Sequence, residues 1–168
     1  MPDLARLHRI QARASRWANG VLYAELAKLT PTQWTRVTTA NFGSIQGIAN
    51  HALLADRLWL HRLTGQGAPL ASVSQVVHAD FPALWAARQA QDEDCVAFVE
   101  GLTPERLRED LSFRTIEGTP RVLPVGLCVA HLLNHQTHHR GQMHGMLGEF
   151  GLTAPDIDLV YYPDALQN

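Results

Sequence analysis

The stretch His131–Leu147, "HLLNHQTHHRGQMHGML", holds five of the chain's nine histidines. It reads as the body of a long helix that opens near Pro124 and runs to Phe150, where Gly151 ends it. At about 100° per residue, Cys128, Leu132, Met143, Met146 and Phe150 form one apolar stripe. His135 and His139 lie at the centre of that stripe, about 20° to either side of Cys128. His131 and His138 fall on its margin, whereas His144 projects to the opposite side, near Arg140. Two imidazoles four residues apart therefore aim at an apolar interior, where they cost several kcal/mol unless something satisfies them.

Three further segments have helical periodicity. Leu4 to Leu29 carries Leu4, Leu7, Ala14, Trp17, Val21 and Leu22 on neighbouring faces, Ser44 to Leu63 is stopped by "TGQG", and Phe81 to Val99 completes the set. "LTPTQW" starts a new turn, with Thr30 as cap, Pro31 in the first helical position and Gln33 placed for a capping box. "GLTPER" repeats that Leu-Thr-Pro break. "LSFRTIEGTPRVL" reads as a short β-hairpin turning at Glu117-Gly118, just before the last long helix. Four apolar-faced helices with little strand predict an all-α, four-helix bundle. "GQGAPLASVSQVVHAD" is irregular and long enough to cross the molecule, so at least one crossover connection is long. No composition break divides residues 1–168, which read as one domain.

The composition narrows the function. Net charge is −2, with Lys28 the only lysine and no basic cluster, which disfavours a nucleic-acid partner. The N-terminus has no long apolar core, so neither an export signal nor a membrane span is expected. Cys95 and Cys128 then read as reduced thiols in a cytoplasmic protein. Phosphate-binding glycine loops, "GxSxG" and persuasively spaced carboxylate pairs are missing.

A divalent metal would satisfy the inward imidazoles, since an i,i+4 pair can reach one ion. Hydrogen bonding to a neighbouring helix would satisfy them equally, and H-x3-H also arises by chance. The second long helix offers His51 on the face of Ile48, Ala52, Ala55, Leu58 and Trp59, where Ala49, Ala52 and Ala55 leave room for an ion and water. Asp56 and His61 project to either side. His8 and His78 read as surface or loop residues. Trp17, Trp59 and Trp85 suit core packing, and Asn19 suits either a polar pocket or a local backbone bond. His51, His135 and His139 would give three nitrogen donors and an open position, the arrangement of a catalytic site. Asn134, Gln142, Asp56 and backbone carbonyls are candidates to orient the rings. Arg140 and Gln142 could instead hold the helix against neighbouring loops, with contact to a substrate as the alternative.

At "WANGVLYAELAKL", "FGSIQGIANHALLADRLWLHRL" and "HLLNHQTHHRGQMHGML", and more weakly at "APDIDLVYY", the sequence resembles the DinB-like (DinB/YfiT-like) family of metalloenzymes. The resemblance implies a four-helix bundle with one metal held by His51, His135 and His139, and with His138 outside the ligand set. It further implies zinc or nickel, a homodimer, and a small-molecule substrate in thiol-dependent transfer or hydrolysis with a low-molecular-weight thiol. No catalytic side chain follows from it. A non-catalytic metal-binding or stress-response module, and a metal-free structural bundle, remain open from the residues alone.

Overall fold

The computed structural model describes residues 3–164. Four long helices dominate it: α1 (Leu4–Leu26), α3 (Ile45–Thr64), α4 (Phe81–Glu100) and α6 (Val125–Leu147). The one-turn helices α2 (Pro31–Thr35) and α5 (Pro104–Arg108) open at Leu-Thr-Pro breaks. Strands β1 (Asp110–Arg114) and β2 (Pro120–Pro124) pair antiparallel, Ser112 opposite Val122, as the short hairpin expected before α6. The all-α bundle is thus observed, with α1 and α3 each packing on both α4 and α6.

Local chemistry sets the helix ends. Ser44 caps α3 by accepting from Gly47 N, and Gly65 closes it with a left-handed φ of 71°. Thr30 and Gln33 form the expected reciprocal capping box. α1 stops at Leu26, three residues short of the expected Leu29, and α6 tightens after Leu147 into a 3-10 turn, Gly148–Phe150. Gly151, at φ 73°, ends that turn.

The bundle interior has three levels. One end is apolar around Val99, Val125, Val129 and Leu132, and the other around Leu22, Leu26, Ile48, Leu53 and Met143. Burying each such side chain contributes about 1.5–3 kcal/mol. Between the two ends lies a buried polar belt. Arg88 of α4 donates to Asp56 of α3 at 2.6 Å and contacts Asp92 at 2.8 Å. Asn19 of α1 donates to Asp92, and Gln136 of α6 donates to Asp56 at 2.9 Å. Arg140 donates to Ser15 and Asn19 of α1, at 2.6 and 3.3 Å, which makes it a helix-to-helix fastener.

The belt overturns one sequence expectation: Asp56 does not project sideways but is fully buried. The first half of α3 is enclosed on nearly every side, because the crossover between α3 and α4 folds over its outer face. Asn50 fastens that crossover. Its Oδ1 accepts from Val77 N and His78 N, and its Nδ2 donates to His78 O and Gln46 O. Two histidines also differ from expectation. His8 is buried, bonded through Nδ1 to Gln11, and His144 is half-buried, with Nε2 donating to Pro155 O beneath the chain's last described segment. His78 is a loop residue, as read. Cys95 and Cys128 are both free and buried.

Candidate metal centre

α3 and α6 run antiparallel, so that His51 faces His139 and Trp59 faces His131. Positions 135 and 139 lie one turn apart on the inward face of α6. His51, His135 and His139 come together there, one donor atom from each within 4.8 Å of the others. The His135 and His139 Nε2 atoms approach to 3.1 Å. Two imidazole nitrogens bound tetrahedrally at about 2.0–2.1 Å would stand roughly 3.3 Å apart.

Hydrogen bonds set the protonation pattern. His51 Nδ1 donates to Val73 O at 2.9 Å, and His139 Nδ1 donates to Gln142 Oε1 at 2.7 Å. A neutral ring that spends its proton on Nδ1 carries a bare lone pair on Nε2. Lone pairs of His51 and His139 therefore have no proton to offer and face a common point. His135 Nδ1 is buried without a partner among the described residues, and its Nε2 faces that of His139. Lone pairs converging in this way repel each other unless a proton or a cation lies between them, so the donor set fits a divalent metal ion.

The α2–α3 loop and the crossover complete the surroundings. Phe42 stacks on His51, with centroids 3.7 Å apart and planes 15° from parallel. Phe42 itself has a positive φ of 65°, a conformation that bulky side chains rarely adopt. Its carbonyl oxygen would lie 2.0 Å from a Cβ at position 47, so Gly47 is what allows the loop to sit on the first turn of α3. On the open side stand His131 and His138, both exposed and within ring contact of His135 and His139 respectively. Trp59 packs on the apolar core as expected but also covers His131, at 4.7 Å.

Burial first, and then the neighbouring imidazoles, hold His135 down at about 3. His139 lies at about 4, lowered mainly by burial and partly restored by Gln142. Burial also lowers His51. All three rings are therefore neutral at physiological pH, the form that binds metal.

The metal-free protein is expected to lose stability as the pH falls from 6.5 toward about 4. Below 6.5 the unfolded chain protonates these histidines while the folded chain does not, so acid favours unfolding. Urea denaturation of stripped protein across that range checks this. A slope no steeper than that of a variant carrying His135→Gln and His139→Gln contradicts it.

The model of the DinB family matches residues 10–168, nearly the whole sequence. The chain belongs to the DinB family. A DinB-like protein from Bacillus cereus ATCC 10987, solved at 2.01 Å, shares the fold with a TM-score of 0.64 and 22% identity. The match covers 83% of this DinB-family chain and 89% of that one. No curated protein matches it. In this DinB-family chain no described helix is long and apolar enough to cross a membrane.

Of the orienting groups considered from sequence, Gln142 and a backbone carbonyl (Val73) are in place. Asp56 instead serves the polar belt, touching the centre only through Gln136, the residue after His135. Asn19 is buried and bonded across to α4, neither a pocket residue nor a local backbone partner. The Val73 carbonyl left no trace in the sequence, because any residue would supply it.

Proposed function

We propose that this protein is a metal-dependent enzyme in which His51, His135 and His139 bind one divalent ion, zinc or nickel. The meeting of His51, His135 and His139 at one point, with the protons of His51 and His139 held on Nδ1 by Val73 O and Gln142, carries this reading. Three protein donors leave at least one position for a substrate, on the side where His131 and His138 are exposed. A divalent ion supplies Lewis acidity there, lowering the pKa of a small-molecule thiol or water so that a nucleophile is available near neutral pH. Phe42 shields one face of His51 from water. His131, solvent-accessible but partly covered by Trp59, is held below its usual pKa by that partial burial and then by Arg62, so it is neutral at pH 7 and can accept a proton at the rim. The reaction class that suits this chemistry is thiol-dependent transfer or hydrolysis, in a cytoplasmic homodimer.

Metal analysis of protein purified without a histidine tag tests the first half of the reading, with about one ion per chain expected. The second half is tested by replacing that ion with cobalt and adding azide or 2-mercaptoethanol. A change in the visible spectrum marks an exchangeable position. An unchanged spectrum would make the site a closed, non-catalytic module, and absence of bound metal would leave a structural bundle.

A further inference from the structure

Arg62 lies on the last turn of α3, eleven residues beyond His51. Its guanidinium carbon sits 4.8 Å from the centroid of Trp59 and 4.8 Å from that of Phe113 in β1. Nη2 donates to Arg114 O at 2.9 Å. The clamp thus uses two aromatic faces and one backbone carbonyl, and it fixes the fork while leaving its other N–H groups free to bond. No carboxylate among the described residues lies within ion-pair distance of it, in contrast to Arg88, which contacts two. Cys128 and, after it, the exposed Glu117 of the hairpin turn act on it electrostatically, and neither forms an ion pair with it.

The clamp is continuous with the metal centre. Trp59 lies 4.7 Å from His131, and His131 lies 5.7 Å from His135. A wall of rings therefore runs from the three histidines along the α3–α6 seam to Arg62. The seam's inward α3 positions include the short side chains Ala52 and Ala55. Eleven residues of helical rise, less the backward lean of a helical side chain, put the guanidinium roughly 10–15 Å from the histidine donors.

We infer that Arg62 is a specificity-determining residue of this site, binding the carboxylate of an elongated substrate whose other end reaches the metal. The inference rests on the metal-centre reading above. A carboxylate suits the clamp, because a single planar fork held between two rings matches a bidentate, planar partner. The middle of such a molecule would lie against Trp59 and His131, which favours an apolar or flat spacer over a hydroxyl-rich one.

Two hydroxamates of equal length test this on cobalt-loaded protein, read by the visible spectrum. One is suberic acid monohydroxamate, which carries a terminal carboxylate. The other is octanohydroxamate, which does not. The carboxylate form is expected to bind at least about tenfold tighter, and succinic acid monohydroxamate, too short to reach Arg62, to lose that advantage. Arg62→Gln should abolish the preference for the carboxylate form over octanohydroxamate without changing metal content, and Arg62→Lys should keep part of it. Equal affinities of the two eight-carbon probes in the wild-type protein, which requires no variant, overturn the role of Arg62 alone. So does a preference that survives Arg62→Gln. A protein that takes up no cobalt overturns the metal reading itself.

Discussion

His139→Ala is expected to weaken metal binding by at least about a hundredfold while the helices stay folded, because it removes a donor and strands Gln142. Gln142→Ala keeps all three donors and frees only the His139 tautomer, so a loss of about 10–100-fold is expected. His138→Ala removes an exposed ring 4.8 Å from His139 that belongs to no donor set, and should leave metal affinity unchanged. Competition with a chromophoric chelator ranks the three variants. Any order other than His139, Gln142, His138 would contradict the assignment of donors, and a large effect of His138→Ala would move the ligand set by one residue.

The second large effect belongs to the polar belt. Arg88 is 2% exposed and holds Asp56 and Asp92, which are 0% and 3% exposed. Arg88→Met would leave two buried carboxylates without their cation, and breaking a buried pair in this way costs about 3–5 kcal/mol. That is a large share of the roughly 5–15 kcal/mol by which a domain is stable. Gln136, which also donates to Asp56, cannot compensate, because an amide carries no charge. Adding Asp56→Leu to Arg88→Met should recover part of the loss, since an apolar replacement of both partners leaves fewer stranded charges. Urea unfolding of the metal-free variants measures both quantities. A single variant within about 1 kcal/mol of wild type would show that the belt is not a network of obligate partners.

The helical wheel of α6 anticipated much of the site, because a helix with one apolar stripe fixes where each ring points. His135 and His139 stood at the centre of that stripe, and both face the interior cluster. His51 was legible from the alanines around it. The belt was not. Asp56 and Arg88 look like ordinary surface residues when their helices are read singly, and only the pairing of α3 with α4 gives each a reason to be inside. His8 and His144 escaped for a related reason: the packing of α1 against α6, and a returning C-terminal segment, enclose positions that their own helices read singly leave at the surface. The orienting acceptors divide in the same manner. Gln142 sits one turn from His139 and could be named from spacing, whereas Val73 O comes from a crossover whose path has no periodic signal.

Phe42 and Val73 both come from segments without repetitive structure, yet they set the tilt and the proton position of His51. A designer who grafted the three histidines onto an idealised four-helix scaffold would reproduce their coordinates but not their tautomers. The transplanted His51 ring would lose its stacking partner and its carbonyl, and could hydrogen-bond to water through either nitrogen. In this architecture the irregular connections are therefore as much a part of the chelator as the helices that carry its nitrogens.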